Sequence, residues 1–235
     1  MRATRGGALS RIVVLEVFRQ GAFLAAHTCV GVPIDWHFVT KHIEMEWCAG
    51  PPLATGQEAL YESTLEVSVA AQEKRGEPYY LDWSLVLGDV QYPIAVGAIQ
   101  GWVLASPRYR AMRRSSLASD VADEPTTASE APGGADPQVS WDENDPFLFN
   151  RRGDHVVSMA LIEAVLVALR GTSSTDVDRV GFSMDFLAFA ERTSPITLRM
   201  GAAVMGEQVV ELRQRGQTIA RAFGYAAPMS EVLNG

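Results

Sequence analysis

Two apolar stretches of the sequence contain isolated polar side chains whose types and spacing suit chemistry. In the first, Glu16, Arg19 and Gln20 stand at i, i+3 and i+4, so on a helix they share one face and can bind each other or a common ligand. In the second, Glu163 is the only polar residue between positions 159 and 169. Because burying an ionised carboxylate without a partner is costly, Glu163 must be paired, protonated or used.

The second stretch is preceded by two further candidates, Asp154 and His155. A histidine can act as acid or base near neutral pH, and so can a carboxylate whose pKa is raised by burial. Arg19 carries a planar donor fork that suits a carboxylate or a phosphate. Two structural explanations stay open beside these roles. The first group can be an ordinary Glu-Arg pair on a solvent-facing stripe, and Glu163 can pair with a buried group while His155 closes a turn.

Other classes of site and location leave no signal in the sequence. Neither stretch contains a nucleophile elbow, a phosphate-binding glycine loop or a metal motif. The two cysteines, Cys29 and Cys48, lack metal-ligand or redox spacing, which favours reduced structural thiols. We therefore expect no cofactor and no metal. No signal peptide is recognisable and no apolar run reaches bilayer length, so we expect a cytoplasmic protein without a membrane partner.

The negative charge is confined to one segment. The formal net charge is -8, and residues 115–146 contain eight acids but no lysine or arginine, so the rest of the chain sums to zero. Without a basic face, nucleic acid is not an expected partner. Residues 115–140 are rich in Ser, Ala, Thr, Pro, Gly and acids, and this composition predicts a disordered acidic linker. It separates an N-terminal domain, residues 1–114, from a C-terminal domain, residues 141–235.

Both domains show a long apolar helix followed by strand-like stretches. In the C-terminal domain the helix spans about residues 157–169, and four alternating stretches separated by short turns follow. The N-terminal domain begins in the same way and ends in a tail, residues 106–114. A helix that is apolar all round needs an enclosure, so the pattern predicts an α+β fold in which an antiparallel sheet wraps each helix.

The two domains resemble the tandem hotdog domains of the A-factor biosynthesis (AfsA-like) family. The family's second domain carries Asp-His-Val-Pro-Gly-Met, then Glu-Ala and Arg-Gln. Here the motif stands as Asp154-His155-Val156-Val157-Ser158-Met159, with Glu163-Ala164 following and Leu166-Val167 in place of Arg-Gln. In the N-terminal domain, Glu16-x-x-Arg19-Gln20, His27 and the segment GVPIDWHF resemble the first hotdog. By the same resemblance, that hotdog is incomplete, since its opening strand and a histidine-bearing loop are expected before residue 1.

The resemblance implies an acyl transfer. In this family a β-ketoacyl group is thought to pass from acyl carrier protein to a hydroxyl of dihydroxyacetone phosphate, giving a γ-butyrolactone precursor. His155 or Glu163 is then the base, with Asp154 beside them, and an apolar tunnel between helix and sheet holds the acyl chain. Arg19 is also the candidate cation for Glu163. The residues expected to bind substrate, including the phosphate, are Glu16, Arg19, Gln20, His27, Arg151 and Arg152.

Two other functions remain open. The departures at Val157-Ser158 and Leu166-Val167, together with the incomplete first hotdog, also fit a non-catalytic or decayed paralogue that binds acyl ligands or regulates. Exposed sheet edges in such a protein favour a homo-oligomer. A hotdog thioesterase or dehydratase is the third possibility, since those enzymes also place an acid or a histidine at the central helix.

Overall fold

The computed structural model describes residues 11–48, 63–122, 136–142, 155–172, 181–202 and 207–225. The helices in these residues are α1 (Arg11–Ala25), which continues as a π-helical turn (Ala26–Val30), α2 (Ser106–Ala122) and α3 (Ser158–Thr172). The strands of the N-terminal half are β1 (His37–Trp47), β2 (Leu65–Lys74), β3 (Glu77–Gly88) and β4 (Pro93–Leu104). Those of the C-terminal half are β5 (Gly181–Phe186), β6 (Ile196–Met200), β7 (Gln208–Gln214) and β8 (Gln217–Tyr225).

The eight strands form one antiparallel sheet with the order β2-β3-β4-β1-β5-β8-β7-β6. The order within the N-terminal half, β2-β3-β4-β1, is repeated by β6-β7-β8-β5 in the C-terminal half. The halves join at the centre, where β1 pairs with β5 from His42 opposite Asp185 to Met45 opposite Phe182. This architecture is the predicted α+β double hotdog.

The two halves also share a hairpin turn. Between β2 and β3 the turn residues are Arg75 and Gly76, and between β7 and β8 they are Arg215 and Gly216. All four have positive φ angles, from 51° to 80°. Two-residue turns with this geometry match the right-handed twist of the flanking strands, and glycine adopts it without strain. The same local solution thus sets the register of the corresponding strand pair in each half.

Helices α1 and α3 lie against the sheet and against each other, and their apolar residues join the buried side chains of the strands in one core cluster. From α1 the cluster takes Val14, Leu15, Phe18 and Ala22, and from α3 it takes Leu161, Ile162, Val165, Leu166 and Leu169. Strand β3 contributes every second residue from Leu81 to Leu87, as expected for a strand with one buried face. Enclosure by the sheet explains why α3 is apolar on nearly every side.

The expectation that no apolar run is long enough to cross a bilayer is wrong by length and composition. Helix α1 with its π-helical turn, Arg11–Val30, spans 20 residues and is apolar enough to pass that test. In the fold it is the core helix of the N-terminal half, because Leu15 and Phe18 are fully buried against the sheet. Core helices and membrane spans share this composition.

The predicted linker is shorter than expected at both ends. The expected tail and residues 115–122 form α2, which Pro107 can start at its first turn and which no later glycine or proline interrupts. At the other end, Val139 N–H donates to the Ile196 carbonyl (2.8 Å) and Leu198 N–H donates to the Pro137 carbonyl (2.9 Å), so this segment pairs with the edge of β6. Amino-acid composition reveals neither the helix at one end nor the strand pairing at the other. Residues 123–135 lie outside the described part of the chain.

Candidate active site

The polar residues of α1 form one hydrogen-bonded group. Arg19 donates through Nε to Glu16 Oε2 (2.7 Å) and through Nη2 to Oε1 (2.6 Å), and Gln20 Nε2 donates to the same Oε1 (2.8 Å). Burial raises the pKa of the Glu16 carboxyl, but the hydrogen bonds from Arg19 and Gln20 and the Arg19 charge outweigh it, so the pKa lies below the usual value. The group is therefore an ion pair whose carboxylate is ionised.

Arg19 borders a narrow slot between α1, the sheet and the first turns of α3. The slot holds only about 30 Å³, roughly the space of one or two water molecules. Its walls are otherwise almost wholly apolar and come from both halves. They include Leu15, Ala22, Phe23, Phe38, Ile43, Trp83, Ile99, Trp102, Met159 and Ile162.

A larger cavity of about 430 Å³ adjoins this slot. The slot and the cavity share Phe38, Val39, Thr40, Trp102 and Ser158 as wall residues. The cavity is enclosed by β1 and β4 of the N-terminal half, by α2, by the start of α3 and by the segment that follows β5. It is therefore built only when the two halves are joined.

His155 lines this cavity immediately before α3. Its ring lies edge-on to Phe189, with 5.1 Å between the centroids, and its Nδ1 is 3.4 Å from the Tyr109 hydroxyl, a long hydrogen bond. The backbone is fixed as well, because His155 forms a β-bridge with Glu191 and Val156 N–H donates to the Ala190 carbonyl (2.7 Å). The segment that follows β5 thus holds the histidine in the wall.

A buried ion pair fastens this segment to α2. Arg113 donates through Nη1 and Nη2 to the two carboxylate oxygens of Glu191, at 2.7 and 3.0 Å, and its guanidinium stacks over Phe189 at 4.4 Å. Both charged side chains are at most 7% exposed. Gln214 completes the network, since its Oε1 accepts from Glu191 N–H (2.8 Å) and its Nε2 donates to the Glu191 carbonyl (2.8 Å). Sequence reasoning missed this pair because Arg113 belongs to a basic stretch that was predicted to be a tail.

Comparisons with known proteins agree with this architecture. No family model matches the chain. A Streptomyces coelicolor protein named 2-oxo-3-(phosphooxy)propyl 3-oxoalkanoate synthase is 27% identical over 220 residues, covering 82% of this chain and 68% of the relative. A Streptomyces griseus protein of the same name is 30% identical over 173 residues, covering 65% of this chain and 56% of the relative. The chain thus spans between about half and two thirds of these relatives.

A solved structure extends the comparison to the fold. The 12:0-ACP thioesterase from Umbellularia californica superimposes with a TM-score of 0.59, covering 97% of this chain and 95% of its own, at 11% sequence identity. At that identity the similarity concerns the fold alone, which is the hotdog fold predicted from the sequence. The chain thus has a hotdog fold and is similar in sequence to these synthases.

Glu163 lines a different cavity from His155. It borders a third cavity, of about 680 Å³, on the other side of α3, whose described walls come from the C-terminal half alone. They are formed by residues 137–142, by β6 and by Ala160, Ala164, Val167 and Ala168 of α3. Neither His155 nor Arg19 lines this cavity.

The remaining candidates divide between described and undescribed residues. His27 lies in the π-helical turn after α1, where its Nδ1 donates to the Val32 carbonyl (2.7 Å) and its ring meets the edge of Phe38 at 5.5 Å. Since Phe38 lines both slot and cavity, His27 supports their wall from behind. Asp154, Arg151 and Arg152 lie outside the described residues. Within the described part of the chain, no group of three or more His, Cys, Asp or Glu side chains is placed to hold a metal ion.

Proposed function

We propose that this AfsA-like protein transfers a β-ketoacyl group from acyl carrier protein to a hydroxyl of dihydroxyacetone phosphate in the cytoplasm. The observation that supports it most is the position of His155 in the wall of a cavity of about 430 Å³ that both halves enclose. The relatives' name describes the product of such a transfer, an ester of a 3-oxo acid that carries a phosphooxy group. The cavity has the size expected for a small-molecule site.

The chemistry needs a base, an oxyanion site and a leaving group that takes up a proton. His155 accepts the proton of the attacking hydroxyl, the oxygen adds to the thioester carbonyl, and the carbon–sulfur bond then breaks as the proton passes to the departing thiolate. The oxyanion is stabilised at the start of α3, where the helix dipole is positive and the N–H groups of Ser158 and Met159 have no acceptor within the helix. The next N–H group, that of Ala160, already donates to the Val157 carbonyl (3.1 Å). Ser158, the first residue of α3, lines both cavity and slot.

The acyl chain extends from the cavity into the slot between α1 and α3. The slot's walls are apolar, which suits an alkyl chain, but the present volume of about 30 Å³ holds no more than one or two carbons. At its border, Phe23 stacks on Phe38 with 4.4 Å between ring centroids. We infer that a longer chain enters by displacing this stack, so that the two rings set the accepted chain length.

The direct test supplies the protein with a β-ketoacyl carrier and dihydroxyacetone phosphate and measures free carrier thiol together with the phosphorylated ester. We expect both products in equal amounts, with no thiol when the acceptor is omitted. Thiol release without an acceptor would instead identify a thioesterase. Tight binding of the acyl carrier with no thiol under either condition would identify a non-catalytic paralogue. Either result would contradict the proposal.

A further inference from the structure

We propose that Lys41 binds the phosphate group of the acceptor. This inference rests on the proposed function and adds a residue that no motif indicates. Among the described residues that line the cavity of His155, Lys41 is the only one with a permanent charge. A phosphomonoester carries about two negative charges at neutral pH, and a cavity with one fixed cation and otherwise neutral walls favours that group over a neutral one.

Lys41 lies at an irregularity in the pairing of β1 with β4. In the ladder between β1 and β4, Thr40 pairs with Gly101 and His42 pairs with Gln100, so Lys41 is the extra residue of a β-bulge. A Cβ atom on Gly101 would lie 2.7 Å from the Val39 carbonyl oxygen, and the bulge therefore needs glycine opposite. Bulges re-aim a side chain and are common beside active sites. In contrast, the pairing of β5 with β8 runs without a register shift.

The ammonium group is held in position, and none of the ion pairs seen in the described part of the chain includes it. Lys41 Nζ donates to the Phe186 carbonyl (2.9 Å) and lies 4.8 Å from the centre of the Trp102 ring. An ammonium has three N–H donors, and the carbonyl takes one of them. Two donors and a full positive charge are left for a ligand, while the hydroxyl groups of Thr40 and Ser116 line the same cavity. The arrangement is that of a preorganised anion site.

Arg19, one of the cations expected to bind the phosphate, suits that role less well. The Arg19 charge is balanced by Glu16, which takes two of its N–H groups, so the pair as a whole is neutral. The cavity beside Glu163 is unsuitable for a different reason. Its charged residues among the described walls are Asp142 and Glu163, both acidic, and like charges repel a phosphate.

The sequence offers a matched control, because Lys41 and Lys74 are its only lysines. Lys74 is exposed at the end of the edge strand β2 and does not line the cavity. The first experiment labels both lysines of the wild-type protein with an amine-reactive reagent, in glycerol 3-phosphate or in glycerol, and measures each site by mass spectrometry. We expect the phosphate ester to slow labelling of Lys41 at least threefold and leave Lys74 unchanged. Equal labelling of Lys41 in the two solutions would overturn the proposal.

The second experiment measures turnover with an acyl N-acetylcysteamine thioester, a donor without phosphate, and compares dihydroxyacetone phosphate with dihydroxyacetone. Loss of one charge-assisted contact in Lys41→Met should lower kcat/KM for the phosphorylated acceptor about 10- to 100-fold. For dihydroxyacetone the change should stay below about threefold, as should every effect of Lys74→Met. Lys41→Arg should retain most of the preference for phosphate.

The outcomes separate the inference from the proposed function. If both acceptors lose the same factor in Lys41→Met, the lysine does not read the phosphate. A further measurement combines dihydroxyacetone with the acyl carrier as donor. If Lys41→Met loses activity only in this combination, Lys41 binds the phosphodiester of the carrier, and the assignment to the acceptor is wrong. If the wild-type protein turns over no thioester, the acyl transfer fails, and the labelling experiment alone decides whether Lys41 binds a phosphate.

Discussion

Helices α1 and α3 occupy equivalent places in the two halves. Each has a glutamate at the same position, but the surroundings of the two glutamates differ. Each helix has 15 residues, and the glutamate is the sixth of them, Glu16 in α1 and Glu163 in α3. Three residues later α1 has Arg19, which pairs with its glutamate, whereas α3 has Leu166, which is 4% exposed in the core. Helix α1 thus has the arginine of an ion pair beside the slot, whereas α3 has a buried leucine at the position equivalent to that arginine.

The difference shows how a repeated fold comes to hold one composite site. The N-terminal half supplies Arg19 at the slot and Lys41 at the cavity, the C-terminal half supplies His155, and α2 ties the halves together through Arg113. The two halves thus have the same architecture, and in the proposed function each supplies different groups to the site.

Substitutions of His155 and Glu163 should differ most in their effect on kcat. His155→Gln removes the proposed base, so kcat for acyl transfer should fall about 10²- to 10⁴-fold. Glu163→Gln, in a different cavity, should change kcat less than about threefold. Both values come from thiol release under saturating donor and acceptor. A loss in Glu163→Gln as large as that in His155→Gln would mean that α3 has kept its own active carboxylate.

The next effect concerns stability and the contact of α2 with the C-terminal half. Arg113→Met leaves Glu191 buried without its cation, which typically costs about 3–5 kcal/mol. Urea denaturation should show this loss in the free energy of unfolding. The double variant Arg113→Met with Glu191→Leu should recover much of it, because no charge then stays buried. If the single variant is as stable as wild type, α2 does not fasten the His155 wall.

A smaller, pH-dependent effect tests the ion pair of α1. The lowered pKa of Glu16 means that its contribution to stability is present above about pH 4.5, the ordinary value for a glutamate, and is lost as the pH falls through the lowered value. Arg19→Met leaves the burial that raises this pKa opposed only by the hydrogen bond from Gln20, so the variant should gain less stability than wild type as the pH rises. The difference from wild type should be roughly 2 kcal/mol at pH 7 and shrink below pH 4.5.

Denaturation curves at several pH values measure that difference. Arg199→Met, which removes an exposed arginine on β6, is the control and should show no such trend. A constant difference between Arg19→Met and wild type from pH 7 to pH 4 would contradict the assignment of an ionised Glu16.

The smallest effect lies where the two halves meet in the sheet. His42 Nδ1 donates to Asp185 Oδ1 at 2.7 Å across β1 and β5, but both side chains are partly exposed to solvent. Pairs of this kind contribute less than about 1 kcal/mol. Asp185→Asn should therefore lower the free energy of unfolding by less than that in chemical denaturation. A larger loss would show that this pair, rather than the shared core, holds the halves together.

The sequence predicted what depends on local pattern. Helical periodicity located α1 and α3, alternation located the strands, and the family motif ordered the two halves. The group formed by Glu16, Arg19 and Gln20 was also foreseeable, because residues three and four apart meet on any helix. His155 and Glu163 were grouped as candidates by their spacing in the motif. In the structure, His155 precedes α3 and Glu163 lies on the other side of that helix, so they line different cavities.

Features that depend on distant contacts were out of reach. Arg113 and Glu191 are 78 residues apart, and their pairing exists only because α2 crosses to the C-terminal half. The role of Lys41 depends on a bulge, whose position is set by the register between two strands rather than by the residues of one. The pairing of β1 with β5 is of the same kind.

In the proposed function, the acyl group binds where the two halves meet. A β-ketoacyl pantetheine with a photoreactive diazirine at the end of the acyl chain tests it most directly, with the attachment sites mapped by mass spectrometry. We expect attachment to slot residues from both halves, such as Phe23, Trp83 and Met159. Attachment to Trp141, Val167 or Met200, which line the cavity of Glu163, would contradict the account and move the site into the C-terminal half.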